Sequence, residues 1–357
     1  LSIMKKTSKI MSLVLAGAMV LSMTACAGNT AETTSAAAKS QETAADTASK
    51  AEETTGAEAS ESETAAKAEG TTYKIGVLQL VQHTALDAAN DGFIAALDDA
   101  GIAYEVDQQN ASGDQSACQT VASKFANEKK DLILAIATPA AQAMVGAVED
   151  TPVLITAVTD PAESGLVDTN EKPGANVTGT SDLTPVKEQI DLLKQLVPEA
   201  KTVGVLYCSA ESNSKIQADM AKEAIAAAGM ESKEYTVSSS NEIQTVVQSM
   251  VGAVDAVYAP TDNVIAAGMA TVGMVAGDNN LPVICGEAGM VQNGGLATYG
   301  IDYYQLGYMT GQQAVKILTE GASPADMPIE YLPAEKCELT VNEETAQTLG
   351  IDVSGLK

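Results

Sequence analysis

The chain contains no Arg and no Trp, a single His and only two Phe. Each absence narrows what the protein can do. Without a guanidinium there is no bidentate side-chain clamp for a carboxylate or phosphate, so a bound anion must rest on backbone N–H groups, hydroxyls or Lys. One His excludes a His-rich metal site, and any Ser-His-Asp arrangement would have to use His83. Tyr is left as the main aromatic to line a pocket. No GxGxxG follows the first strand-like run, no P-loop pattern occurs, and no Ser has Gly two residues to each side. No catalytic residue, metal or cofactor is therefore expected. Acidic residues number 47 against 20 basic ones, for a net charge of −27. Nucleic acid and anionic membrane surfaces are poor partners for such a chain.

Lys5, Lys6 and Lys9 precede an apolar run from Ile10 to Leu21, shorter than the ~20 residues of a membrane span but suited to a secretory signal. The run ends in LSMTAC (Leu21 to Cys26), which resembles a bacterial lipoprotein signal with Cys26 as the lipidated residue, although Met23 stands where Leu is usual. From Ala27 to Gly70 there is no Val, Ile, Leu, Met or aromatic residue. Such a stretch cannot offset its chain entropy by burial. It is expected to be a disordered tether spanning roughly 33 to 40 Å. The four other Cys, at 118, 208, 285 and 337, show no CxxC and no metal-like spacing, and are expected to be free thiols.

Beyond the tether, apolar strand-like runs alternate with helical patterns. KIGVLQL (Lys74 to Leu80), Ala103 to Val106, Leu132 to Ala137 and Val153 to Val158 read as strands, with helices over Asp87 to Ala100, Ser116 to Asn127 and from Thr138 onward. GANVTGTSD (Gly174 to Asp182) interrupts the rhythm with turn residues. The pattern then restarts, and TVGVLYC (Thr202 to Cys208) echoes KIGVLQL. Two doubly wound parallel-sheet α/β lobes are expected, since the length from Tyr73 to Lys357 exceeds one ordinary core. Their strand ends should face a common cleft, where open α/β sheets bind ligands.

The junction at Thr138-Pro139 has chemical content. Pro fits the first turn of a helix, and the free N–H groups after it form a ready anion site, or simply an ordinary helix start. Gln82 and His83 lie in the loop after the first strand, where His83 reads either as a ligand contact or as a capping residue. An extracellular hydrolase or racemase in the same cleft would need an activated base or nucleophile, and none stands out beyond His83 and isolated carboxylates.

The strand-end loops LVQHTALDAAN, IATPAAQA, AVTDPAESGLV, NVTGTSD, GVLYCSAESNS, YAPTDN and GIDYYQLGYMTG together resemble the ABC transporter substrate-binding proteins of the tryptophan/tyrosine type. The likeness covers Tyr73 to Val353. It implies the type I periplasmic-binding-protein architecture, two lobes joined by a three-crossover hinge. On that reading residues 1–25 are the signal peptide, 26–72 the tether, 73–180 plus 304–326 the N-terminal lobe, and 181–303 plus 327–357 the C-terminal lobe. The lipid anchor and long tether depart from a periplasmic setting and suit a Gram-positive cell surface, and a monomeric receptor is expected. The receptor would capture a free amino acid, with an aromatic one expected, by hinge closure and deliver it to a permease with its ATPase. A sensory subunit for a membrane kinase, or a receptor for an aliphatic amino acid or other small carboxylate, remains an alternative. By the same analogy the α-carboxylate would rest on Thr138, Ala140 and Ala141, helped by Thr159. Asp160, Asp182 and Asp262 are the candidates for the ammonium, with Asp262 favoured and helix capping as the competing role for each. Ser181 and Asn263 flank two of these carboxylates. Asn213 and Ser214 could donate from the second lobe, Gly286 and Glu287 are expected to line the cleft, and Tyr303 and Tyr304 are either hinge packing or pocket wall.

Overall fold

The computed structural model describes residues 70–356. The expected signal peptide, Cys26 and nearly all of the tether lie outside them. The first lobe begins with β1 (Tyr73–Gln79), α1 (Thr84–Asp99), β2 (Tyr104–Asn110), α2 (Gln115–Glu128), β3 (Leu132–Ile136), α3 (Thr138–Val145), β4 (Val153–Val158) and β5 (Val177–Ser181). The second follows with α4 (Val186–Leu196), β6 (Thr202–Cys208), α5 (Ser212–Ala227), β7 (Glu231–Val237), α6 (Ile243–Met250) and β8 (Ala256–Ala259). It continues through α7 (Asn263–Ala267), α8 (Met269–Asp278), β9 (Val283–Cys285), α9 (Ala288–Gln292) and β10 (Ala297–Gly300). The chain then returns to the first lobe for α10 (Tyr303–Glu320) and β11 (Glu330–Tyr331), and ends in the second with β12 (Glu338–Val341) and α11 (Glu343–Leu349).

Each lobe is built on a six-stranded sheet, in the orders β11-β5-β4-β3-β1-β2 and β12-β10-β9-β8-β6-β7. All pairs are parallel except β10 with β12. β3, β4 and β5 are buried along their whole length, as strands covered by helices on both faces must be. β2 and β7 are edge strands, which explains why their polar sequences carry only part of the apolar signal.

Two boundaries differ from the sequence reading. GANVTGTSD is not only a turn, because Val177–Ser181 forms the buried strand β5. Its polarity is absorbed internally, since the Thr180 hydroxyl pairs with Thr156 at 3.0 Å and with Thr310 at 2.8 Å. Gly179 is required there: φ is +147°, and a Cβ would come 2.0 Å from the Ile155 carbonyl oxygen. The third crossover is also later than residue 327, because Glu330 and Tyr331 pair with Thr180 and Ser181 in the first sheet. The chain changes lobes between β11 and β12.

Helix α10 packs tightly on α1. A Cβ on Gly307 would lie 1.8 Å from Ala89 O, and one on Gly92 2.0 Å from Tyr304 O, so the helices meet backbone to backbone. This contact fixes His83, at the start of α1, relative to Tyr303, at the start of α10. All four Cys of the described residues are free, as expected, three of them buried. Among the described residues no helix is long and apolar enough to cross a membrane.

Candidate functional site

The strand ends of the two lobes meet, and the lobes are closed on one another. Among the described residues four side-chain hydrogen bonds cross between them: Gln217 Nε2 to Thr159 Oγ1 at 2.9 Å, Gln142 Nε2 to Ser212 Oγ at 3.3 Å, Gln115 Nε2 to Ala210 O at 3.1 Å, and His83 Nε2 with Asn263 Oδ1 at 3.3 Å. At the centre His83, Asp182, Asn213, Asp262, Asn263 and Glu287, all six expected from sequence, surround a cavity of about 10 Å³, room for about one water. Leu86, Ala157, Thr261, Ala266 and Tyr303 complete its wall.

Four carboxylates are buried here, Asp182, Glu211, Asp262 and Glu287. Among the described residues no Lys is buried beside them, and every ion pair of those residues involves other side chains. Asp182 follows β5 in the first crossover, and the Tyr303 hydroxyl donates to its Oδ2 at 2.8 Å, tying two hinge segments together. Its Oδ1 is buried with no hydrogen-bond partner among the described residues. Burial pushes this carboxyl up to about 6, with the Tyr303 and Thr159 hydroxyls pulling the other way. Glu287 caps α9, accepting the Gly289 and Met290 N–H groups, and burial assisted by Asp182 raises it to about 7.

The favoured ammonium partner, Asp262, is already occupied. Its Oδ1 accepts the Ile265 N–H at 2.8 Å and its Oδ2 the Cys208 N–H, so it caps α7 and ties it to β6. Ser214 is engaged with the same carboxylate. Asp160 takes the turn role, accepting the Ala162 and Glu163 N–H groups and the Asn170 amide, outside the cavity wall. Asp182 is thus the one of the three that lines the cavity with a buried oxygen left without a hydrogen bond among the described residues.

The other expected residues fall around this centre. Gln82 is exposed and away from the cavity. Ser181 Oγ donates to Thr159 O at 2.7 Å, holding β5 against the end of β4. Gly286 admits the close backbone of Thr261, since a Cβ would sit 2.3 Å from its nitrogen. Thr138, Ala140 and Ala141 form the buried first turn of α3, which reaches α5 through the Gln142–Ser212 contact. Ala141 N–H is used by Ala137 O at 3.0 Å, whereas the Thr138 and Ala140 N–H groups donate to no described backbone carbonyl. The Thr138 hydroxyl is buried with no partner among the described residues. The turn into α3 is strained: Ala137 has φ 81° and ψ 151°, and Ala157 at the end of β4 has φ 54°. Non-glycine residues in these regions cost about 1–3 kcal/mol each and concentrate at functional sites.

Two buried residues escaped the sequence reading. Gln217 on α5 bridges Thr159 and Thr261 across the lobes, and Glu211, just before α5, accepts from both Asn213 and Asn263. Their only sequence signal was position beside a strand-end loop. Polar and charged side chains at the start of a helix ordinarily read as solvated caps. The cavity wall gathers acceptors, whereas the hydroxyl and N–H donors at the start of α3 lie outside that wall, and among the described residues no nucleophile is paired to a base. Among the described residues no group of three His, Cys, Asp or Glu side chains is placed to hold a metal.

Known proteins share this architecture. The chain is 41% identical over 351 residues to a "Tyrosine-binding protein" of Clostridioides difficile, a match covering 97% of this chain and 93% of that one. An ABC domain solved in complex with L-Trp from Streptococcus pneumonia superposes with a TM-score of 0.76 at 40% identity, over 79% of this chain and 96% of that one. A ligand-free, open substrate-binding protein with adhesive properties from Clostridium difficile is more similar in sequence, at 46%, covering 80% of this chain and 97% of that one, yet superposes less well, at 0.62. An open form is expected to superpose less well on a chain whose lobes are closed. A family model for "ABC transporter substrate binding protein" matches residues 74–355, and with it the chain belongs to the ABC transporter substrate-binding protein family.

Proposed function

We propose that the protein captures a free aromatic amino acid, tyrosine or tryptophan, between its lobes as the solute receptor of an ABC importer. The observation that carries this reading is a buried cluster of carboxylates and unpaired acceptors around one cavity, with no cation of its own among the described residues. Asp182 Oδ1, Asn213 Oδ1 and His83 Nδ1 are buried acceptors without partners among the described residues, in a cluster of carboxylates that lacks a cation. An α-ammonium supplies both the charge and the N–H groups. The Thr138 hydroxyl and the Thr138 and Ala140 N–H groups offer the α-carboxylate a site that needs no Arg. The names of the two relatives, tyrosine-binding and L-Trp complex, support an aromatic side chain.

The cavity of about 10 Å³ is far too small for an amino acid, so binding requires the lobes to part and reclose around the ligand. We further infer that Cys26 carries a lipid holding the receptor at the outer face of the cell membrane, and that a permease and its ATPase receive the ligand from the closed form. A thermal-shift panel of the free amino acids tests the central claim, because a ligand selective for the native state must raise Tm. Tyrosine, tryptophan or both should give a rise of several degrees at saturating concentration. No rise with any amino acid would overturn the reading.

A further inference from the structure

Glu211 is 3% exposed and its Oε2 collects three donors: Asn263 Nδ2 at 2.6 Å, the Asn263 N–H at 3.3 Å and Asn213 Nδ2 at 3.2 Å. A backbone N–H can only donate, so Oε2 acts as an acceptor and draws the NH₂ face of both amides to itself. Asn213 Nδ2 is held the same way by the Thr261 carbonyl at 3.3 Å, whereas Asn263 Nδ2 is held by Glu211. Both amide oxygens must then face away from Glu211. Asn213 Oδ1 is left buried without a partner among the described residues, and Asn263 Oδ1 meets His83 Nε2 at 3.3 Å in the opposite lobe. An oxygen cannot donate, so His83 Nε2 carries the proton and Nδ1, buried and without a partner among the described residues, keeps its lone pair. Burial holds the ring neutral by lowering its affinity for a second proton.

We propose that Glu211 is a positioning residue that sets the hydrogen-bonding polarity of the cleft. Through Asn213, Asn263 and His83 it turns three otherwise ambiguous groups into acceptors, which selects ligands bearing an ammonium over analogues that lack one. The proposal rests on the amino-acid reading above and deepens it. Removing the acceptor frees Asn263 to flip, which would present NH₂ to the cleft and release the tautomer of His83.

The test compares wild type with Glu211→Leu, which removes the acceptor, and Glu211→Gln, which restores an amide oxygen. Calorimetry measures binding of L-tyrosine and L-tryptophan against 3-(4-hydroxyphenyl)propionate and 3-indolepropionate, which lack the amine. Discrimination in favour of the amino acid should fall at least tenfold in Glu211→Leu and stay within about threefold of wild type in Glu211→Gln. Should Glu211→Leu fail to fold, Glu211→Asp, which withdraws the acceptor by one methylene, should lose at least threefold. Because His83 is the only His, its ring nitrogens give unambiguous ¹⁵N signals, expected to show Nε2–H in wild type and a tautomer mixture in Glu211→Leu. Unchanged discrimination in the acceptor-deficient variant, an equal loss in Glu211→Gln, or a wild-type proton on Nδ1 each overturns the proposal. If wild type binds neither amino acid, the reading of function fails instead, and the ring tautomer alone decides the relay.

Discussion

Asp182→Asn separates the ligand's requirement from the fold's. The substitution keeps shape and leaves an oxygen for the Tyr303 hydroxyl, which now donates at 2.8 Å, while removing the charge. A carboxyl held at about 6 instead of 3.8 costs the folded protein about 3 kcal/mol at neutral pH. The ligand-free variant should therefore be more stable than wild type, by up to about that amount less the weaker Tyr303 bond. Binding should move the other way. A hydrogen bond from an ammonium to a charged acceptor is worth about 1.5–3 kcal/mol, so affinity for the amino acid should drop roughly 10- to 100-fold. Scanning fluorimetry with and without ligand reads both effects: Tm rises in its absence and the ligand-induced increment shrinks. Asp262→Asn is the control, since that carboxylate serves the Ile265 and Cys208 N–H groups and its loss should lower Tm without ligand. If Asp182→Asn bound like wild type while a folded Asp262→Asn lost the ligand, the ammonium would have been assigned to the wrong carboxylate.

The same carboxyls make binding pH-dependent. Asp182 at about 6 and Glu287 at about 7 both lie above their unfolded values, so the ligand-free fold is relatively favoured below about pH 4 and loses that contribution as pH rises through 6 and 7. An ammonium pairs with the ionised form, so affinity should increase across the window from pH 5 to 8, with proton release visible as buffer-dependent heats in calorimetry. A flat profile would show that neither group meets the cation. Thr138→Ala should weaken binding by about 1–2 kcal/mol through loss of the hydroxyl donor, with little change in the Tm of the free protein, measured by calorimetry and fluorimetry together. Gly307→Ala would force α10 away from Ala89 and should cost about 1–3 kcal/mol of stability, read by urea denaturation.

The parts of this fold legible in the sequence are those whose burial is apolar. KIGVLQL, LILAI and TVGVLYC announce β1, β3 and β6 because strands covered on both faces must be continuous hydrophobic runs. β5 was hidden because its interior is satisfied by hydroxyls and a glycine, Thr156, Thr180 and Thr310 doing with hydrogen bonds what Val and Ile do elsewhere. The site divides along the same line. Strand-end position was enough to bring His83, Asp182, Asn213, Asp262, Asn263 and Glu287 to one cavity. It could not say which carboxylate has a free oxygen, because that depends on backbone N–H groups from elements far apart in the chain: Cys208 ends β6, yet it saturates Asp262 at the start of α7. Glu211 was invisible for a related reason, since its partners Asn213 and Asn263 converge only when the first residues of α5 and α7 meet in the fold.

The distribution of charge also says what makes closure conditional. Glu211, Asp262 and Glu287 belong to the second lobe and Asp182 to the hinge, whereas the first lobe brings His83 and Thr159 against them. Closing therefore strips water from an acidic face without supplying a positive partner from the chain itself. The opposing cost is met either by proton uptake, which the upward shift of all four buried carboxyls reflects, or by a ligand carrying its own cation. Interlobe hydrogen bonds such as Gln217 to Thr159 contribute about 1 kcal/mol each and are the same whichever way the charge is neutralised. They favour the closed form without distinguishing ligands. Selectivity must then come from the cation, and a solute that brings a carboxylate alone would leave the acidic wall uncompensated. The electrostatics of the second lobe thus make an amine, more than an acid, the group that lets this receptor shut.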